Sequence, residues 1–164
     1  MKFEAMPYPE AERDFLLDAC SGKNVFEWGT GAGTLKIRDV ALNVWSVEHD
    51  SAWYSEFVKV AGPENMKLIE PNEAHDGISD GSFSQFRSYA CAPITWNPGK
   101  IDVFYIDGRA RLSCAMVASL YGKTTIVHDW EIPPHPTRKE YLNMTKFLSV
   151  ESICGKLIKF KPGW

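Results

Sequence analysis

No stretch of this sequence stays apolar for the roughly 20 residues that a membrane-spanning helix requires. Positive charge is scarce too: 18 Lys and Arg stand against 21 Asp and Glu, a formal net charge of -3. The chain therefore lacks the cationic excess that neutralises a phosphate backbone. These absences argue against a membrane protein and against nucleic acid as substrate or partner. Cysteine is sparse: Cys20, Cys91, Cys114 and Cys154 form no C-x-x-C pair, and each lies in or beside an apolar stretch that can bury a thiol. The opening "MKFEAMPYPEAERD" is too acidic for a secretory signal, so a reduced, cytoplasmic setting is expected. Internal repeats and low-complexity tracts are missing, and "EIPPHP" at Glu131 to Pro136 is the one proline-rich stretch.

What is present suits one domain spanning residues 1–164, since 45% hydrophobic residues are enough for one sizeable core. "YPEAERDFLLDACSG" predicts a helix with Pro9 at its start, Glu10 and Glu12 in its first turn, and Phe15, Leu16 and Ala19 on an apolar face. The runs "NVFEW", "LNVWSVE", "MKLIE", "KIDVFYID" and "KTTIVHD" predict strands. Helices are expected from Thr34 to about Asp39, over "SAWYSEFVKVAG", near Ser82 to Cys91, over "ARLSCAMVASLYG" with Leu112, Ala115, Met116 and Leu120 inward, and over "TRKEYLNMTKFL". "SVESI" and "GKLIKF", joined at Cys154-Gly155, predict a closing hairpin. Strands alternating with helices imply an α/β fold: a mostly parallel sheet with helices on both faces.

The strongest local signal is Glu27-Trp28-Gly29-Thr30-Gly31-Ala32-Gly33, where the first strand turns into a helix and glycines let backbone approach a ligand. A purely structural turn is the alternative. Thr34 stands where a dinucleotide site has its third glycine, and Glu27 ends an apolar strand, where an unpaired carboxylate is costly and a cationic ligand removes the cost. S-adenosylmethionine carries both an ammonium and a sulfonium. Glu48 ends the second strand 19 positions after Gly29, near the roughly 20-residue spacing of an acid that accepts from a ribose diol, with His49 beside it to flank an adenine. Asp107 and Asp129 end the fourth and fifth strands, whose carboxyl ends open on one crevice. With His128 they are candidates either to hold a divalent cation, Mg²⁺ or Mn²⁺, or simply to cap the helices that follow.

"FEWGTGAGTL", "VWSVEHDSAWY", "IDVFYIDGRARLSCA" and "TTIVHDW" resemble successive motifs of class I S-adenosylmethionine-dependent methyltransferases across residues 25–130. The pairing of "SVEHD..WY" with "IDGRAR..CA" is similar to a subgroup of bacterial and viral methyltransferase-like proteins, and more distantly to plant glucuronoxylan O-methyltransferases. The resemblance implies a Rossmann-like three-layer sandwich with seven strands, the last antiparallel. It implies that Glu27, Gly29 and Gly31 border the methionine part of the cofactor, with Thr30 and Gly33 in the same turn, that Glu48 holds the ribose, and that Asp107 lies near the reacting methyl. Metal-dependent O-methyltransferases of this class carry an Asp-Asn pair where this chain has Asp129-Trp130.

The expected activity is O-methylation of a small-molecule or sugar hydroxyl, with Asp107, His128 and Asp129 as candidates to take its proton directly or through a cation. Arg109 and Arg111 of "DGRAR" either bind an acidic group of the acceptor, fix the carboxylates, or lie on the surface. Trp130 is expected to face the acceptor. The loops at Pro71 to Pro98 and Glu131 to Pro136 are the segments available to recognise it. The rivals are a non-catalytic cofactor-binding domain and an NAD-dependent oxidoreductase, against which Thr34 and Glu27 argue.

Overall fold

The computed structural model describes residues 3, 6, 8–77, 79–131 and 136–161, the side chains of 136–138 excepted. The predicted proline-rich loop lies largely outside them. In chain order the elements are α1 (Glu10–Cys20), β1 (Asn24–Trp28), α2 (Ala32–Val40), β2 (Asn43–Glu48), α3 (Ser51–Ala61), β3 (Met66–Leu68), α4 (Arg87–Ala90), α5 (Ala92–Trp96), β4 (Val103–Ile106), α6 (Arg111–Ser119) and β5 (Thr124–Val127). A 3₁₀ helix (Pro136–Lys146) and the strands β6 (Val150–Cys154) and β7 (Leu157–Phe160) complete the fold. All seven strands join one sheet in the order β3-β2-β1-β4-β5-β7-β6. The first five run parallel, and β7 lies antiparallel to both β5 and β6. Among the described residues no helix is long and apolar enough to cross a membrane.

The period-two alternation of the strands divides the core into two layers. Phe26 and Trp28 of β1 and Phe104 and Ile106 of β4 point to the face covered by α4, α5, α6 and the 3₁₀ helix, with Tyr89, Cys114, Ala118 and Met144. Val25 of β1 and Val103 and Tyr105 of β4 point to the opposite face, under Leu16 and Cys20 of α1 and Ile37 of α2. Glu27 shares the parity of Val25 and so belongs to the α1–α2 side, where Tyr105 also lies. All four cysteines are free thiols.

Three predicted helices differ from expectation. The helix expected near Ser82 to Cys91 is two short ones broken at Cys91, because Pro93 has no N–H to return to the carbonyl of Tyr89. That carbonyl accepts from Trp28 Nε1 at 2.9 Å instead. On α6 the inward face is Arg111, Cys114, Ala115 and Ala118, while Met116 and Leu120 are exposed at 54% and 71%. Small residues face the sheet there, which lets the helix approach closely, and the larger apolar side chains point away. "TRKEYLNMTK" is 3₁₀ rather than α, and its three-residue period aligns the buried Tyr141 and Met144.

At the carboxyl ends of β1 and β4 the backbone packs without room for a side chain. Gly29 has φ +93, and a Cβ there would lie 2.7 Å from the backbone nitrogen of Gly108. Gly29→Ala is therefore expected to destabilise the protein by about 2–4 kcal/mol through combined backbone strain and overpacking. A urea midpoint that barely moves would contradict this packing.

Candidate functional site

The sheet order puts the ends of β1, β2 and β4 side by side, and a cleft of about 570 Å³ opens there. Its wall includes Glu27, the turn Gly29–Thr34, Glu48, His49, Trp53, Asp107 and Arg109, together with Phe3 and Tyr8 from the N-terminal segment. Every cofactor-binding candidate named from the sequence (Glu27, Gly29, Thr30, Gly31, Gly33, Glu48, His49 and Asp107) lines this one cleft. His128 and Asp129 do not, among the described residues. Nor does Trp130, the residue expected to face the acceptor: it is buried in the core, edge-on to Phe160.

Glu27 is fully enclosed and is held by two hydroxyls: Thr34 Oγ1 donates to Oε1 at 3.0 Å and Ser46 Oγ to Oε2 at 2.7 Å. Thr34 in turn accepts from the Gly31 N–H at 2.9 Å. The residue standing where a dinucleotide site has glycine thus ties the turn to the acid. Burial pushes the Glu27 carboxyl up to about 8, against the lowering effect of the Ser46 and Thr34 hydrogen bonds.

Glu48 sits in the opposite regime. Its Oε2 accepts from Thr30 N and Thr30 Oγ1 at 2.9 and 3.0 Å, and its Oε1 from the backbone N–H groups of His49 and Asp50 at 2.8 and 3.1 Å. Burial alone would raise this carboxyl, but His49 and those N–H groups bring it below its ordinary value. Four donors occupy both oxygens, so a ribose diol reaches Glu48 only if the Thr30 hydroxyl turns away. His49 Nδ1 lies 2.8 Å from Glu48 Oε1, off the line of a hydrogen bond, and its ring meets Phe86 and Tyr89 edge-on.

At the floor, Asp107 is the centre of a network. Tyr8 Oη donates to Oδ2 at 2.5 Å, and Tyr105 Oη lies 3.2 Å from the same oxygen and 2.5 Å from Tyr8 Oη. His128 Nδ1 lies 2.8 Å from Oδ1 and Arg111 Nη2 3.3 Å from it. Burial would raise the Asp107 carboxyl, but the His128 hydrogen bond and the Arg111 charge hold it below the usual carboxylate range. Burial and the neighbouring Asp107 charge keep both phenols protonated. With Asp107 ionised, His128 Nδ1 carries the proton of that bond, and Nε2 faces Glu12 Oε2 at 3.9 Å rather than the cleft. The imidazole stacks on Tyr8 with centroids 4.3 Å apart. His128 therefore acts on the cleft through Asp107 and Tyr8 rather than lining it.

Arg111 closes the site behind Asp107. Nε donates to the Gly108 carbonyl at 2.9 Å, Nη1 to the His128 carbonyl and Asp129 Oδ2 at 2.6 and 2.7 Å, and Nη2 to the Asp107 carbonyl and Oδ1 at 3.1 and 3.3 Å. The guanidinium thus lies between the two carboxylates proposed from the sequence to hold a cation, with all five donors engaged. This donor set does not fit a metal as it stands. Of the two arginines of "DGRAR", Arg111 fixes carboxylates, and Arg109 lines the cleft with Nη2 on the Gly77 carbonyl at 2.8 Å. The loop from Pro71 to Pro98 braces this turn: Asp80 accepts from Arg111 N at 2.8 Å and from Tyr141 Oη at 2.9 Å.

Sequence reasoning missed Phe3, Tyr8 and Glu12. Glu12 reads as an acid in a first turn, yet it is buried and accepts from Lys156 N at 3.1 Å. Tyr8 carries no motif. A clue lies in Pro9, which fixes where α1 begins and so where the preceding side chain meets the strand ends.

The raised carboxyl of Glu27 makes a stability prediction. The unfolded chain releases this proton near 4.5 and the folded chain near 8, so folding takes up a proton in between. Stability therefore falls as pH rises through that window, by at most about 1.4 kcal/mol per unit. Glu27→Gln lacks this slope and should gain stability relative to wild type between pH 5 and 8. Parallel urea midpoints across that range would refute it.

Three solved structures share the architecture. A methyltransferase-like protein from Silicibacter pomeroyi superposes with a TM-score of 0.75 at 22% identity, over 98% of this chain and 89% of that one. Precorrin 8w decarboxylase from Methanobacterium thermoautotrophicum gives 0.58 at 13%, over 96% and 92%, and an rRNA methylase from Streptococcus thermophilus gives 0.56 at 11%, over 98% and 100%. No family model and no curated protein matches the sequence. At these identities the likeness is one of fold, and the fold of this chain is methyltransferase-like.

Proposed function

We propose that the chain binds S-adenosylmethionine in the 570 Å³ cleft and methylates the hydroxyl of a small molecule or sugar. The observation that carries this reading is the convergence, on one cleft wall, of the glycine turn with three acids in distinct states: Glu27 held neutral by burial, Glu48 and Asp107 held ionised. The volume falls within the roughly 300–1,000 Å³ of small-molecule sites. A Cβ on Gly31 would meet nothing nearer than the Trp53 ring at 3.9 Å, so the turn leaves open space beside the start of α2.

The cofactor supplies an electrophilic methyl group on a sulfonium. Glu27 is the residue to meet its positive charge, since a cation beside the buried carboxyl draws it back to the ionised form. Glu48 is the acceptor for a diol once the Thr30 hydroxyl rotates. Asp107 and Tyr8 face the hydroxyl acceptor: Tyr8 Oη takes its proton while passing its own to Asp107 Oδ2, across the 2.5 Å hydrogen bond. His128 holds Asp107 from behind, and Asp129 acts through Arg111. A net charge of -3 and four acids along the cleft (Glu27, Glu48, Asp50 and Asp107) argue for a small acceptor rather than a nucleic acid.

Calorimetric titration tests this reading. The wild type should bind S-adenosylmethionine without added metal and should not bind NAD. Glu27→Ala and Glu48→Ala should each weaken binding at least tenfold, about 1.4 kcal/mol. Binding of NAD instead, or unchanged affinity in both variants, would overturn it.

A further inference from the structure

Asp107, His128 and Asp129 offer ligand atoms that all lie within 4.8 Å of one another, a spacing that on its own suits a divalent cation. The guanidinium of Arg111 already spans that space: 2.7 Å from Asp129 Oδ2 and 3.3 Å from Asp107 Oδ1, with its other donors on the carbonyls of Asp107, Gly108 and His128. The remaining ligand positions of Asp107 are taken as well, by His128 on Oδ1 and by Tyr8 and Tyr105 on Oδ2. A dication entering here would have to expel a buried arginine from five acceptors and strip two phenols from a carboxylate, leaving a buried charge without partners.

We propose that Arg111 is the resident cation of this site: it occupies the position of a divalent metal and performs its charge-neutralising role, so that the protein needs no metal there. Arg111 is a positioning residue. It joins the end of β4 to the end of β5, keeps Asp107 ionised, and directs Asp107 Oδ2 toward Tyr8 and the cleft. Arginine suits this better than lysine because its planar fork reaches two carboxylates and three carbonyls at once, whereas an ammonium has three donors. The geometry of β4, β5 and α6 gives Arg111 this role whichever cofactor fills the cleft.

Mn²⁺ is the probe, because its free-ion paramagnetic resonance signal is lost on binding. Mn²⁺ is titrated into the wild type, Arg111→Lys and Arg111→Ala. The wild type and Arg111→Lys should leave the signal unchanged up to about millimolar metal, since both keep a cation between the carboxylates. Arg111→Ala, which removes the cation from between the Asp107 and Asp129 carboxylates, should bind Mn²⁺ at least about tenfold more tightly, and adding Asp107→Asn should abolish that binding. Wild-type binding of Mn²⁺ that disappears in Asp129→Asn overturns the proposal, as does an Arg111→Ala variant that folds and binds no better than wild type. If Arg111→Ala does not fold, the wild-type titration decides alone: binding lost in Asp129→Asn overturns, and no binding supports. Calorimetry with S-adenosylmethionine on the same wild-type sample separates failure of this proposal from failure of the cofactor reading.

Discussion

The five-donor grip of Arg111 is the constraint on which the rest of the site depends. The strands β4 and β5 pair as far as Ile106 and Val127, and past one further bond, from the His128 N–H to the Ile106 carbonyl at 3.0 Å, the two chains pass into loops. Arg111 restores the connection by gathering the carbonyls of Asp107, Gly108 and His128 together with both carboxylates. A buried cation of this kind is costly to desolvate, and removing one partner of such a pair typically costs about 3–5 kcal/mol because the other charge is left buried. Two backbone irregularities are held by the same assembly. Asp129 and Ala110 have φ of +59 and +50, positions disfavoured for side chains with a Cβ. The first is pinned by its carboxylate on Arg111, the second by its N–H donating to the Asp80 carbonyl at 2.6 Å.

A second consequence is the division of labour among the acids. Glu27, Glu48 and Asp107 all border one cleft, yet burial raises the first, while donors outweigh burial for the other two. The difference lies in what each carboxylate meets. Glu27 meets two neutral hydroxyls, which do not compensate a charge in a desolvated setting. Glu48 meets backbone N–H groups and a histidine, and Asp107 meets a guanidinium and an imidazole. One fold thereby presents neutral and ionised carboxyls on the wall of a single cleft, an arrangement suited to acid–base chemistry near neutral pH.

The strands were legible because burial on both faces leaves continuous apolar runs, and the turn was legible because Glu27 and the glycines are adjacent in sequence. Glu48 followed from its spacing of 19 positions after Gly29, and Asp107 from the geometry of parallel sheets, which brings the carboxyl ends of strands together regardless of what separates them along the chain. Contacts set by tertiary packing were less legible. Met116 and Leu120 suggested the inner face of α6, but helical periodicity does not reveal that small residues will be chosen for close approach to a sheet. The break at Cys91 could have been anticipated from Pro93. Tyr8 and Glu12 could not, since each gains its role from partners about a hundred or more positions away, Asp107 and Lys156. Fixing the carboxylates is one of the readings open to both arginines of "DGRAR", and nothing in that motif distinguishes Arg111, which clamps Asp107 and Asp129, from Arg109, which borders the same cleft and bonds the Gly77 carbonyl.

The polar groups of this cleft are largely satisfied by one another, and this bears on how it would act. Glu48 has a donor at each of four positions, Asp107 has four partners, and Thr34 both accepts from the turn and donates to Glu27. Such a network orients its members before any ligand arrives, so little reorganisation is needed when charge shifts during reaction. Its cost is that a ligand must exchange hydrogen bonds rather than simply add them. Hydroxyls exchange more readily than backbone groups, because they rotate about a single bond while the chain stays in place. The points of exchange are therefore the hydroxyls of Thr30, Thr34 and Tyr8, which line the cleft and bond its acids. Asp107 and Arg111 line the cleft beside them but are fixed by each other and by His128, and this separates a rigid frame from adjustable hydroxyls.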